Sequence, residues 1–363
     1  MATRLAAGAA ARAQEIADRI LAPAAEEVDL AGRVPRAHLD ALAEAGLFGL
    51  FGPEEAGGLD ADETTSRLVY EALAGGCGST FFLWMQGHSL VRMLTRIEDA
   101  PPRARYLPDL CSGALRAGII NYLRRPGPPS IVACHVDGGL AVSGRAPWVT
   151  GWGTLDLYLM GAGVEASDDV AFFCFPGEEV PGVHPHEPAE VVAMQAAVNV
   201  PVDLVDVFVP SEEIVQVLPR ESWRRRDSAR TAQPTSAVFG VTMRAVGLLA
   251  EVGRRTGDEG IAATAAALAA ELNDCRERSY EAADAFDAGE DVDLDELRAL
   301  RAWSFDLAQR TTYAFVIASG GRAMERTHPA QRLYREASFY AVQSQGPDVK
   351  QVTLKLLVEA RPQ

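Results

Sequence analysis

The side chains able to act as bases or metal ligands are few in this sequence of 363 residues. His184 and His186 stand two positions apart, but no third His or Cys lies nearby at ligand spacing, and an adjoining Pro-Gly pair indicates a surface loop. His88 follows the apolar run 81–87, and such a histidine is more often a structural imidazole than a base. We therefore expect no metal site.

Standard catalytic signatures are also missing, because the sequence contains no GxGxxG, GxxxxGK[ST], HExxH or GxSxG motif. The five cysteines are an odd number without a CxxC pair, which is typical of reduced thiols in a reducing compartment. These absences exclude several common enzyme classes and favour a cytoplasmic location.

The net charge and the hydropathy of the sequence limit the kinds of partner that the protein can bind. The formal net charge of −16 argues against nucleic acid, whose phosphates attract positively charged proteins. No uninterrupted apolar run is long enough to cross a bilayer, so we expect no membrane partner.

The elements that must position any site fall into three parts. Apolar residues recur at helical spacing in residues 1–115, for example at Leu39, Leu42 and Ala43. Residues 116–215 contain short β-rich runs, and Asp137-Gly138-Gly139 is a hairpin signal between two of them. Helical periodicity returns in residues 216–363, first at 241–249 and then in long runs at 262–285, 294–316 and 339–357. The sequence predicts a mainly α protein with an N-terminal helical domain, a small antiparallel β-domain and a C-terminal four-helix bundle.

This order, and local sequence over almost the entire chain, resembles the acyl-CoA dehydrogenase family. The segment 42–47 followed by the turn 53–58 resembles the family's opening helix and its proline-glycine turn. The segments 319–324 and 333–337 resemble the family's glycine turn and Arg-Asp-Ala segment. The resemblance implies a flavoprotein oxidoreductase that uses FAD on an acyl thioester and forms homo- or hetero-oligomers through the bundle.

The resemblance also implies a set of FAD contacts. Pro147–Gly151 resembles the strand whose Trp lies against the flavin ring and whose hydroxyl residue bonds the N5 edge, which selects Trp148 and Thr150. A donor near N5 would stabilise the charge that arrives with hydride. Gly320 and Gly321 match glycines that allow close approach of a neighbouring subunit's FAD.

Three positions depart from the family pattern. The Glu that normally removes the substrate α-proton is replaced by Ser344 or Gln345, neither of which is a base near neutral pH. A Thr-Glu-Pro segment that lines the flavin is replaced by 121–127, in which Asn121 could bond a flavin carbonyl and Arg124 or Arg125 could meet a phosphate. The link between the first two bundle helices is shortened, and Arg254 or Arg255 would have to replace the usual FAD-contacting Arg.

Three functions are compatible with these features. The first is an FAD-dependent acyl-CoA dehydrogenase-like enzyme whose base is relocated, with Glu251 and Glu259 as the nearby carboxylates, or supplied by a partner. The second is a non-catalytic subunit of a heteromeric acyl-CoA dehydrogenase, with or without FAD. The third is a flavin-dependent monooxygenase of the same superfamily, which needs no such Glu.

Overall fold

The computed structural model describes residues 8–343 and 345–359. Helices form the N-terminal part, one mixed sheet follows, and helices return for the remainder of the described chain. The predicted fold class, mainly α with a central β-domain, is confirmed.

Seven α-helices form the N-terminal part within the described residues, and a π-helical turn, Ala17–Leu21, joins the first two. They are α1 (Ala9–Ile16), α2 (Ala22–Ala31), α3 (Arg36–Glu44), α4 (Glu63–Gly76), α5 (Gly78–Met85), α6 (His88–Arg96) and α7 (Pro102–Ser112). Helix α4 begins where the Asp62 carboxylate accepts a hydrogen bond from the Thr65 amide, 2.7 Å away, which satisfies a free N–H of the first turn. Its apolar residues Val69 and Leu73 are buried in the core, as the periodicity predicts.

The sheet contains eight strands. They are β1 (Ala117–Asn121), β2 (Ile131–Val136), β3 (Gly139–Thr150), β4 (Leu157–Val164), β5 (Asp169–Pro176), β6 (Val183–Pro185), β7 (Asn199–Pro210) and β8 (Ile214–Pro219). Seven follow the order β6-β7-β3-β2-β4-β5-β8, and β1 pairs with β4. Every residue of β4 is buried, so the sheet lies in the middle of the molecule.

Two details of the sheet differ from the expectation. The sheet is mostly antiparallel, but β1 and β2 both pair with β4 in parallel. The predicted domain boundary after residue 215 falls inside β8, because this strand pairs with β5 as far as Pro219. The predicted hairpin is present, with β2 and β3 antiparallel and Gly138 in the left-handed region at φ +78°.

The C-terminal helices are α8 (Arg220–Ala232), α9 (Ser236–Thr256), α10 (Glu259–Asp287), α11 (Leu294–Ser319), α12 (Pro329–Tyr340) and α13 (Pro347–Glu359). Helices α9, α10 and α11 are the long helices predicted from the sequence. The predicted fourth helix, 339–357, is instead divided between α12 and α13. Pro347 explains the division, because proline lacks an amide donor and disfavours a helical residue before it.

Helix α9 packs very closely against helix α4 of the N-terminal part. A Cβ placed on Gly240 would lie 2.1 Å from the backbone oxygen of Glu71 in α4, so only glycine permits this approach.

The stretch Arg220–Thr256 contains the one apolar window among the described residues that is long enough to span a membrane by composition, and 61% of that window is buried inside the protein. Such burial is typical of a core helix.

Candidate functional site

Strand β3 presents an aromatic face at the surface of the β-domain. The indole of Trp148 is 47% exposed, although it is among the largest apolar side chains. Its backbone is fixed by Tyr122, whose hydroxyl accepts from the Trp148 amide at 2.8 Å and also donates to the Trp148 carbonyl. An exposed indole on a fixed strand can stack on a planar ring.

The hydroxyl of Thr150 lies two residues further along β3 and is buried. It donates to Oδ1 of Asn199 over 2.8 Å, while the Thr150 carbonyl accepts from the Tyr158 hydroxyl over 3.0 Å. A hydroxyl has one proton, so in this arrangement it can only accept a further hydrogen bond. Donation by Thr150 to a ring nitrogen would require the Asn199 amide nitrogen to face it instead.

Asn121 uses its side chain within its own loop. Its Oδ1 accepts from the Leu123 amide at 3.1 Å, an arrangement that turns the chain after β1. The amide nitrogen has no hydrogen bond among the described residues, so it remains able to donate to a ligand carbonyl.

Arg124 binds Asp227 of α8 with two hydrogen bonds, of 2.5 and 2.8 Å. Burial raises the pKa of Asp227, but the bonds and charges of Arg124 and Arg230 outweigh burial and lower that pKa below its usual value. Asp227 is therefore a permanent anion at neutral pH. Sequence reasoning missed this pair, since neither Asp227 nor helix α8 was predicted, and the only available signal was the five arginines within 220–230.

The position of the family's base carries no carboxylate. Ser344 lies outside the described residues, and the side-chain amide of Gln345 donates to the Thr353 hydroxyl over 3.4 Å. Glu251 and Glu259 are both exposed near the far end of α9, and Glu251 is 15 positions beyond Ser236. At 1.5 Å per residue, Glu251 lies about 20 Å along the helix from that start. The start of α9 follows Thr231, which lies close to Gly346. Because Glu251 is far along the helix from that start, the structure does not bring Glu251 to the Gln345 segment.

The remaining predicted cofactor residues lie at one end of the bundle. Arg254 and Arg255 are exposed in the last turn of α9, and Gly320 and Gly321 are exposed after α11. Burial first, and then the charge of Arg322, lower the pKa of His328, which follows the glycine turn. A Cβ at either glycine would meet no atom within 4 Å. The turn is therefore open to approach by a molecule or chain from outside.

These residues fit FAD in two respects. The exposed indole suits a stacked ring, and the open glycine turn suits backbone approach to a dinucleotide. Two cavities lie elsewhere: one of about 440 Å³ between α1, α4 and α9, and one of about 570 Å³ beside Arg33 and Arg116. Neither is lined by Trp148 or Thr150.

His88 and His186 form hydrogen bonds within the protein. Tyr70 and Nδ1 of His88 are hydrogen-bonded at 2.6 Å, and burial lowers the pKa of His88 to about 3, with a smaller effect of the Arg92 charge. His88 is therefore neutral and packs edge-on against Trp84. His186 bonds Asp203 through Nε2, and no group of three His, Cys, Asp or Glu residues in the described part of the chain could hold a metal ion.

The order of N-terminal helices, central sheet and C-terminal helices is that of acyl-CoA dehydrogenase structures. Residues 8–114 match the family model for the acyl-CoA dehydrogenase N-terminal domain. This match covers the N-terminal part of the chain, and the resemblance to the acyl-CoA dehydrogenase family seen in the sequence is confirmed.

Known proteins are similar along the whole chain. The mitochondrial short/branched chain specific acyl-CoA dehydrogenase of Bos taurus is 20% identical over 96% of this chain and 84% of its own length. The structure of butyryl-CoA dehydrogenase from Megasphaera elsdenii covers 98% of both chains with a TM-score of 0.82 and 18% identity. A structure described as the FAD complex of PigA covers 97% of both chains with a TM-score of 0.81 and 16% identity.

Proposed function

We propose that this protein is an FAD-dependent oxidoreductase that acts on an acyl thioester, carried by CoA or by a carrier protein. The observation that carries the proposal is the half-exposed indole of Trp148, fixed on β3 with the Thr150 hydroxyl two residues away. The similarity to butyryl-CoA dehydrogenase and to the FAD complex of PigA supports the substrate class and the cofactor.

FAD, when bound, supplies the acceptor for the hydride that leaves the acyl chain. Trp148 would cover one face of the ring and exclude water from it, and the Asn121 amide would donate to a ring carbonyl. The Thr150 hydroxyl would accept from a ring N–H in the arrangement described, or donate to a ring nitrogen if Asn199 turned. The Gly320-Gly321 turn, with Arg254 or Arg255, would receive the dinucleotide part of a neighbouring subunit's cofactor.

The proton at the substrate α-carbon has no acceptor on the Gln345 segment described by the structure, because an amide is not a base near neutral pH. The base must therefore come from a relocated side chain or from a partner subunit. We infer an oligomer for the same reason, since a partner would complete the site.

Replacing Trp148 by Ala should weaken FAD binding by about 5-fold to 100-fold. Stacking of an aromatic side chain on a planar heterocycle is worth about 1–3 kcal/mol, and each 1.4 kcal/mol is about tenfold in Kd. The measurement is a titration of the purified protein with FAD, followed by flavin fluorescence. Phe208→Ala is the matched control, because Phe208 is an aromatic residue on β7 of the same sheet and is also half-exposed. Equal FAD affinity in the wild type and Trp148→Ala would contradict the assigned role.

A non-catalytic subunit is the second candidate, favoured by a specific observation. The Gln345 amide at the position of the family's base is hydrogen-bonded to Thr353, and the Thr150 proton is directed at Asn199, so both groups are used within the protein. This candidate predicts co-purification with a relative that carries the Glu. A flavin-loaded homo-oligomer that oxidises an acyl-CoA alone would exclude it. Oxygen uptake by the reduced protein would instead favour the monooxygenase alternative.

A further inference from the structure

A group of arginines gathers where the loop after β1 meets helices α8 and α11. Its members are Arg124, Arg230 and Arg301, and we call them the arginine cluster. The carboxylate of Asp227 binds Arg124 twice and Arg230 once, at 3.1 Å. Arg124 and Arg230 therefore share the negative charge of Asp227, which forms no ion pair with Arg301.

Arg301 is the member whose charge is not balanced. Its side chain is buried, at 5% exposure, and it forms no ion pair within the described residues. Its Nη1 donates to the Gln233 carbonyl at 2.7 Å, while its Nε is buried without any hydrogen-bond partner. A neutral carbonyl does not offset a buried charge, since burying an unpaired ion costs several kcal/mol.

The positive charges of Arg124 and Arg230 make the unpaired charge of Arg301 less favourable. Burial, and then the charges of Arg124 and Arg230, lower the pKa of Arg301 to about 9. Arg301 therefore remains charged at neutral pH, and like charges surround it. The Phe305 ring lies beside Arg301, and its centroid is 5.5 Å from the guanidinium carbon.

The three members of the cluster differ in exposure. Exposure of the side chains rises from Arg301, at 5%, through Arg124, at 23%, to Arg230, at 60%. An oxyanion bound by all three would therefore contact Arg230 and Arg124 near the surface and Arg301 at the buried end. The guanidinium fork matches the oxygens of phosphate and carboxylate groups in particular.

We propose that the arginine cluster binds the phosphate or carboxylate group of a small-molecule ligand, with Arg301 as the buried end of the site. The bound oxyanion supplies the negative charge that Asp227 cannot give to Arg301, because the oxygens of Asp227 are already bonded to Arg124 and Arg230. This inference does not depend on flavin binding.

The test is thermal unfolding of the purified protein with sodium phosphate or sodium acetate, compared with sodium chloride at equal ionic strength. We expect phosphate or acetate to raise the Tm of the wild type above the chloride value. A response to phosphate alone assigns a phosphate group, and a response to acetate alone assigns a carboxylate. No rise with either anion overturns the proposal, whether or not the protein carries flavin.

The decisive variant is Arg301→Met, which keeps the length of the side chain and removes the unbalanced charge. We expect it to bind the effective anion at least about tenfold more weakly, while its Tm in chloride is not below that of the wild type. Arg310→Met is the control, because Arg310 lies on the same helix but pairs with Glu271 and Asp306. If both variants lose the anion response equally, or if neither does, the site is not at Arg301.

A second variant covers the case in which Arg301→Met does not fold. Asp227→Asn removes the carboxylate that competes for Arg124 and Arg230, so the anion should bind several-fold more tightly than to the wild type. Unchanged or weaker binding by Asp227→Asn would overturn the proposal.

Discussion

Replacing Gln345 by Glu is expected to raise the rate at which an acyl-CoA reduces the protein's flavin by at least about 100-fold. A positioned general base contributes about 10²–10⁴-fold to proton removal. The position directly before Gly346 is where the acyl-CoA dehydrogenase resemblance places that base, and within the described residues the native amide there is bonded to Thr353. The measurement is flavin bleaching after stopped-flow mixing of FAD-loaded protein with butyryl-CoA.

Gln343→Glu is the control, since it adds the same charge two positions earlier on the same segment. A gain confined to Gln345→Glu would show that the chain binds FAD and an acyl thioester in productive positions and lacks only the base. Equal rates in the wild type and both variants, with FAD bound in each, would contradict the proposed substrate class. They would also favour the non-catalytic subunit.

Replacing Arg332 by Met is expected to lower the free energy of unfolding by about 3–5 kcal/mol, the usual cost of removing one partner of a buried ion pair. Arg332 is 2% exposed and binds Glu336 at 2.9 Å and Glu26 at 3.1 Å. Without it the carboxylate of Glu336, which is also buried, has lost its main counterion. Urea unfolding followed by circular dichroism measures the loss.

The loss should depend on pH in a definite direction. Burial already raises the pKa of Glu336, and removing the Arg332 charge would raise that pKa further. A carboxyl whose folded-state pKa lies above its unfolded value stabilises the folded state at low pH and loses this effect as pH rises through the folded pKa. Arg332→Met should therefore be less destabilising at about pH 5 than at about pH 8.

The double variant Arg332→Met with Glu336→Met provides the control for packing. Removing both charges should recover most of the lost stability, because an apolar pair of similar volume often replaces a buried ion pair at little cost. If the double variant is as unstable as Arg332→Met, the loss comes from packing and not from an unpaired charge.

The sequence alone predicted the parts of the fold that have a regular apolar pattern or a recognisable turn. Helices α9, α10 and α11 have regular apolar faces, and Asp137-Gly138-Gly139 has the composition of a hairpin, so local signals predicted them. The division between α12 and α13 was missed, although Gly346-Pro347 was a visible signal for it.

Helix α8 could not be predicted in the same way. Its sequence, 220–232, is dominated by arginine and has little apolar periodicity, so its position depends on contacts with distant parts of the chain. Trp223 packs near Phe172 of β5, and Asp227 binds Arg124 across 103 positions. The arginine cluster was missed for the same reason, because Arg301 is joined to it only by the tertiary fold.

The candidate site was predicted in part. The resemblance selected Trp148 and Thr150, and the structure places both on β3, but their partners could not be read from the sequence. Asn199 is 49 positions from Thr150, and Tyr122 is 26 positions from Trp148. Hydrogen bonds between such distant residues decide what each group can still do for a ligand.

The most direct test of the central claim, that the β3 face of Trp148 and Thr150 binds FAD, is the visible absorption spectrum of the purified protein after incubation with FAD and gel filtration. We predict a retained flavin with bands between about 350 and 500 nm, bound in about one equivalent per chain, as in a flavoprotein whose cofactor carries the redox chemistry. A colourless, folded protein that releases all added FAD on the column would contradict it.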